Sequence, residues 1–357
     1  MRLRVLVIGL CLTADFALAA DALTSAEAGS VIRKVAAAAR KQAYSGTYFH
    51  QHGAEVATFR VAHLNDAEGE LERREPLEGA ARELVRASGQ VSCYLPEAPA
   101  NPAEVRRNAL MKMFPSVLND DSADSIVHYT VRRLPGERVA GMECQALLLE
   151  PKDSLRYGHK LCFDQNTGLL LKIASLGPRH EVIEQFAFTE LNLDGFDRRS
   201  FKPRYPYRVD IFTPEKPRLD SGTKLKPDAV AGWEMRNLPA GYKVVRETRV
   251  AIGTEPTKVV HLWLSDGWGA VSVFIEPNAA PRIAPGGADV ALPAVRVSTS
   301  NEPVKRPANH TGVLINQGVV NMVSRSAPEM NVVAMGNVPA AAVTAIAGSV
   351  VPRVAGR

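Results

Sequence analysis

The chain has 357 residues, 46% of them hydrophobic and 23% charged, with 26 glycines and 24 prolines. That is an ordinary globular composition, too apolar for a disordered chain and sized for two domains at roughly 100–200 residues each. No apolar run reaches the roughly 18 residues of a membrane-spanning helix, and the net charge is +5, so fibrous, collagenous and polytopic membrane proteins are excluded.

The first twenty residues read as a leader. Arg2 and Arg4 form a basic start, Val5 to Leu12 an apolar core, and Phe16-Ala17-Leu18-Ala19-Ala20 the small-residue site where cleavage near Ala20 is expected. Leu10 before Cys11 is too bulky for a lipidation signal. Cleavage would leave 41 basic and 37 acidic side chains, a net charge of +4. Export removes nucleic acid as the ordinary partner of this charge and leaves acidic protein segments and anionic lipid headgroups.

Thr24 and Glu27 then fit a capping box, and Ala28, Val31, Ile32, Val35 and Ala39 share one helix face. A run of strands follows. Gly46 to Gln51 and Glu55 to His63 flank Gly53 as a hairpin, and Glu70 to Glu75, Arg82 to Ala87 and Gln90 to Leu95 continue the meander. A short helix at Ala109 to Phe114 stops at Pro115. Strands resume at Ser125–Leu134, Arg138–Glu150, Tyr157–Phe163, Leu169–Ser175 and Val182–Leu191, with Asn166-Thr167-Gly168 as a tight turn. The pattern predicts an α+β fold in which a large, curved antiparallel sheet is covered on one face by helices.

Composition shifts after Phe196, where Pro203, Pro206, Pro214, Pro217 and Pro227 suit an extended connection over 197–229. A smaller α+β unit spans 230–350, with strands at Tyr242–Ala251, Val259–Ser265 and Ala270–Glu276 around an Asp266-Gly267 turn. A loose Pro/Ala-rich loop covers 277–309. Thr311 to Ser324 reads as one strand and Met330 to Met335 as another, before a closing helix at Ala340 to Val350. The first domain runs over 21–196.

The chemistry-bearing residues do not assemble into a catalytic motif. His50 and His52 point the same way from a strand, but no third ligand follows at a metal-site spacing, and they read as solvated strand histidines. Asn119 to Asp124 lacks the glycine and terminal glutamate of a calcium loop and reads as a helix flank. There is no nucleophile elbow, no zinc-protease helix, no P-loop and no dinucleotide fingerprint; no cofactor and no metal are expected. Of the four cysteines, Cys93, Cys144 and Cys162 survive cleavage. Cys144 and Cys162 lie on consecutive strands and form the candidate disulfide, a choice that geometry decides.

What the sheet does offer is a binding surface. Tyr48, Phe59, Tyr94, Met111, Met113, Phe114, Phe163 and Phe186 are candidates to line an apolar pocket that would hold acyl chains by area burial, at roughly 25 cal/mol per Å². Each is also a residue that an ordinary core would use.

Several segments resemble the MucB/RseB family, in the family's order. They are Tyr44-Ser45-Gly46-Thr47, "AGMECQALLLEPKDSLRYGHKLCFDQNTGLLLK" from Ala140 to Lys172, "NLPAGYK" from Asn237 to Lys243, "LWLSDGWGAVSVFIE" from Leu262 to Glu276, and "VPAAAVTAIAGSV" from Val338 to Val350. The resemblance implies an N-terminal half-barrel like the lipoprotein carriers LolA and LolB, then a smaller α+β domain. It implies a soluble periplasmic negative regulator of an envelope-stress sigma factor, not an enzyme. The implied partner is the periplasmic domain of a MucA/RseA-like anti-sigma factor, shielded from proteolysis until lipopolysaccharide or another acylated ligand displaces the regulator. A homo-oligomer is also open to such a protein. A lipid or lipoprotein carrier and, more remotely, a periplasmic hydrolase are the rival readings. The sequence departs from the family in its long 277–309 stretch and in Cys162, which stands where a large apolar side chain is expected.

Overall fold

The structure is a computed structural model that describes residues 22–102, 105, 114–194, 197–212, 233–251, 258–277, 313–317, 320–327 and 330–352. The leader, the segment holding Met111 and Met113, much of the 197–229 connection and the 278–312 stretch lie outside the described residues.

Helix α1 (Ser25–Lys41) starts where its chemistry says it should. The Thr24 hydroxyl accepts from the Glu27 amide at 3.3 Å, and the Glu27 carboxylate accepts from the Thr24 amide at 2.9 Å, so two otherwise orphaned N–H groups are satisfied. Its Ala28, Ile32, Val35, Ala36 and Ala39 are buried against the larger sheet.

That sheet contains β1 (Ala22–Leu23), β2 (Tyr44–His52), β3 (Glu55–Asp66), β4 (Gly69–Pro76), β5 (Glu83–Ala87) and β6 (Gln90–Leu95). It continues through β7 (Tyr129–Val139), β8 (Met142–Pro151), β9 (Gly158–Asp164), β10 (Leu170–Leu176), β11 (Val182–Asn192) and β12 (Tyr207–Phe212). The order is β1-β7-β8-β9-β10-β11-β2-β3-β4-β5-β6-β12, antiparallel throughout. Two meanders are thus joined by the β11–β2 pairing into one large open sheet, a half-barrel. The short helix α2 (Asp120–Asp124) and α1 pack together on its covered face. Leu169, Leu170 and Leu171 are all buried, because Leu169 precedes β10 and the pairing with β9 is irregular between Leu170 and Lys172.

Cys144 on β8 and Cys162 on β9 are disulfide-bonded, with Cα atoms 5.5 Å apart, inside the usual range; Cys93 is a buried thiol. The proline-rich connection begins as a strap along the sheet. Arg198 pairs with Asp66 and with Glu68 at 3.0 Å. Arg204 pairs with Glu75 and, at 2.7 Å, with Glu83. The strap then enters the sheet as β12 beside β6.

The second unit has a six-stranded sheet of β14 (Lys243–Ala251), β15 (Lys258–Ser265), β16 (Ala270–Pro277), β17 (Val313–Gln317), β18 (Val320–Ser326) and β19 (Met330–Gly336). Their order is β14-β15-β16-β19-β18-β17. Helix α3 (Ala340–Ser349) buries Ala342, Val343 and Ile346 against Leu262, Val271, Val273 and Val332 of one face. A short pair, β13 (Trp233–Met235) with β20 (Val350–Pro352), ties the start of the unit to its end. Thr311 to Ser324, expected as one strand, is instead the hairpin β17–β18. Gln317 pairs with Val320, and in the sequence Gly318 interrupts what otherwise reads as a single apolar run.

Candidate functional site

The concave face of the half-barrel is built from β2 and its two neighbours. Side chains alternate along a strand, so Tyr44, Tyr48, His50 and His52 share one side. Register sets Tyr48 between Phe188 of β11 and Phe59 of β3, and His50 opposite Phe186. Phe114 reaches this wall from outside the strands, its ring centroid 5.1 Å from Tyr48, 5.0 Å from Phe188 and 5.7 Å from Phe186. The Tyr48 and Phe59 rings stack at 5.2 Å. These are ordinary distances for attractive aromatic pairs.

Four of the expected pocket residues, Tyr48, Phe59, Phe114 and Phe186, therefore meet. Phe163 lies on β9 in the same buried cluster, between Gln145 and Leu170. Tyr94 does not join them: it is half-buried on β6, opposite Glu83 and Arg208, with β4 and β5 between it and β3. Met111 and Met113 lie outside the described residues. Phe188 was not singled out from the sequence, although its Phe-Ala-Phe spacing with Phe186 places both on one strand face.

Beneath the aromatic wall is a buried ion pair. Arg74 is fully buried, contacts Glu72 at 2.8 Å and also donates to the Tyr48 hydroxyl. Burial works against the Glu72 charge, but the Arg74 and Arg86 guanidiniums more than offset it and hold the carboxyl below its usual range.

Polar residues replace the aromatics toward the hairpin end. His159, Ser175, Glu184, His52 and Glu55 stand directly opposite one another in turn across β9, β10, β11, β2 and β3. Glu184 contacts His50 at 3.0 Å, and the His50 ring stacks on Phe186 at 4.1 Å. Among the described residues, no group of three or more His, Cys, Asp or Glu side chains is disposed to hold a metal ion.

His159 brings this row to the junction with the second unit. The turn between β15 and β16 is held by the Asp266 carboxylate, which accepts from the amides of Trp268 at 3.0 Å and Gly269 at 2.8 Å. It enters the first unit beside α2. Ser122 donates to the Gly267 carbonyl at 2.6 Å, and the Trp268 indole donates to the Ser122 carbonyl at 3.1 Å. The indole stacks on His159 at 4.5 Å.

Gly267 adopts φ +91°, and a Cβ there would overlap the Asp121 carbonyl, so both the conformation and the close approach require glycine. Arg156, from the turn after β8, is buried. It faces Asp266 at 3.2 Å, pairs with Asp153, and donates to the Ala240 carbonyl. Tyr242 donates to the Leu155 carbonyl at 2.9 Å, Asn321 donates to the Tyr157 hydroxyl at 3.1 Å, and Lys243 meets Asp121 at 2.6 Å. His128 lies in this charged setting, and burial followed by the nearby Arg156 charge lowers its pKa. A cavity of about 10 Å³ remains between the units, room for one water molecule.

A half-barrel with an aromatic concave face, locked to a second sheet domain by a polar junction, defines a two-domain binding scaffold. Models of the MucB/RseB N-terminal and C-terminal domains match residues 27–205 and 227–291, more than half of the chain. The chain belongs to the MucB/RseB family. It is 27% identical over 261 residues to the sigma factor AlgU regulatory protein MucB of Pseudomonas aeruginosa, covering 73% of this chain and 78% of that one. With the sigma-E factor regulatory protein RseB of Escherichia coli K12 it shares 22% identity over 297 residues, covering 81% and 87%. A crystal structure of MucB in complex with MucA(peri) has the same fold, with a TM-score of 0.65 at 22% identity over 92% of this chain and 100% of that one. Among the described residues, no helix is long and apolar enough to cross a membrane.

Proposed function

We propose that this protein is a periplasmic negative regulator of an envelope-stress sigma factor. It binds the periplasmic domain of a MucA/RseA-like anti-sigma factor, shields it from proteolysis, and is antagonised by lipopolysaccharide or lipoprotein-type acylated ligands. It works by binding rather than by catalysis, after export and removal of the leader near Ala20. The observation that carries this reading is the shared two-domain architecture with a MucB bound to MucA(peri), which extends over 92% of the chain.

The acylated ligand is assigned to the concave face. Tyr48, Phe59, Phe114 and Phe186 form its wall, and Phe114, which does not belong to a strand, is the side chain an acyl chain would displace. The net positive charge of the chain suits a phosphorylated headgroup.

The test is a calorimetric titration of the chain from Asp21 onward with the periplasmic domain of the host's anti-sigma factor, repeated with lipopolysaccharide. Micromolar or tighter binding that lipopolysaccharide weakens is the expected result. Lipopolysaccharide binding with no binding of the anti-sigma domain would overturn the regulator and leave a lipid carrier.

A further inference from the structure

The junction is joined to the concave face by a series of neighbouring residues. Trp268 of the second unit stacks on His159, whose ring nitrogen lies 3.4 Å from the Ser175 hydroxyl. Ser175 stands opposite Glu184 in the sheet. Glu184 contacts His50, and His50 stacks on Phe186, which in turn faces Phe114. The whole route lies on packed strands apart from its two ends, the hairpin that carries Trp268 and the segment that carries Phe114. Neither Trp268 nor Phe114 is a strand residue, so moving either side chain breaks no strand pairing.

The seat of the hairpin is also imperfect. Tyr129 lines the 10 Å³ cavity, and its buried hydroxyl has no hydrogen-bond partner among the described residues. Unpaired buried polar groups favour an alternative in which they reach water. Against this stand the hydrogen bonds of Ser122 and Trp268 and the Arg156–Asp266 pair.

We propose that the Asp266–Gly269 hairpin is a plug that reports occupancy of the concave face. A ligand that displaces Phe114 shifts Phe186, His50 and Glu184, removes the support under His159, and unseats Trp268. The two units then reorient and the protein partner is released. This rests on the regulator reading above and adds its route: ligand and partner need not compete for one surface, because each favours a different seating of the same hairpin. The coupling is reciprocal, so bound partner must weaken ligand binding by the same factor.

The test uses the chain from Asp21 onward, spin-labelled at Arg179→Cys and Ala345→Cys, exposed positions on the two units; the buried Cys93 stays unlabelled. Interdomain distances are measured by pulsed electron spin resonance with and without lipopolysaccharide, whose binding is followed separately by calorimetry. Lipopolysaccharide is expected to move or broaden the distance distribution. Trp268→Ala is expected to do the same without any ligand, and Ser122→Ala, a milder change, to do so in part. Glu184→Gln is expected to bind lipopolysaccharide within twofold of the unsubstituted protein, yet to keep the seated distance and lose most of a tenfold or greater drop in partner affinity.

Bound lipopolysaccharide with an unchanged distance would overturn the plug while leaving the regulator intact. A Trp268→Ala protein, folded by circular dichroism, that keeps the unsubstituted distance would overturn it too. A Glu184→Gln protein that responds fully would refute the route. Absence of lipopolysaccharide binding in the calorimeter would remove the ligand reading and the plug together, a signature distinct from the others.

Discussion

In the concave face, Tyr48, Phe59, Phe114, Phe186 and Phe188 bury one another, and each ring is placed by strand register or by one entering segment. At the junction the buried groups are Arg156, Asp266, a serine hydroxyl, several carbonyls and two tyrosine hydroxyls, placed by turns. Both regions are buried, but the first gains from area and tolerates redistribution of that area. The second gains only while every donor keeps its acceptor, because a charge stranded without its partner costs several kcal/mol. A surface meant to admit a ligand and one meant to snap between two arrangements call for these different materials.

Four substitutions or conditions separate the two. The largest effect is expected beneath the aromatic wall, where Arg74→Ala strands Glu72 and should cost about 3–5 kcal/mol in denaturant unfolding. The double change Arg74→Leu with Glu72→Leu should recover most of that loss; a double variant as unstable as the single one would show that the pair does more than neutralise itself. Next, Cys144→Ala with Cys162→Ala opens an 18-residue span and should cost about 3 kcal/mol. That loss belongs to the half-barrel, and a calorimetric scan should show the melting transition moving down without splitting.

Gly267→Ala should cost about 1–3 kcal/mol through backbone strain, with further loss from overlap with Asp121. Gly141→Ala, also at positive φ but facing open space, carries the strain alone. The junction variant should split thermal unfolding into two transitions and the control should not. The smallest effect is expected from pH. The His128 pKa is lowered from 6.5 in the folded protein, so the unfolded chain binds the extra proton first, and stability falls as pH drops below about 6.5. His128→Gln should flatten that slope in melting temperatures taken between pH 7.5 and 5; an unchanged slope would assign it to other groups.

The same contrast explains what was legible in the sequence. Alternation and capping chemistry give α1, the β2–β3 hairpin around Gly53 and the turn at Gly168, because each is decided within a few residues. Four of the aromatic wall residues were named from the sequence, Tyr48, Phe59 and Phe186 on expected strands and Phe114 at the end of an expected short helix. The junction was not anticipated, although Asp266-Gly267 was identified as a turn: its partners Ser122, Asp121 and Arg156 are more than a hundred residues away, and nothing local marks a turn as one that docks. Arg74 with Glu72 escaped for a similar reason. Charged residues two apart on a strand read as a solvated face until Tyr48, two strands away, is known to meet Arg74.

The strap that leaves the half-barrel has a role beyond connection. By pairing along β6 it covers that strand and takes its place at the sheet's edge, where the charged Arg208 and Asp210 discourage a neighbouring chain from adding a strand. The same few residues are therefore tether and guard. A cut before Tyr207 would do more than separate two units: it would let β12 leave and expose the uncharged edge of β6 to a neighbouring chain.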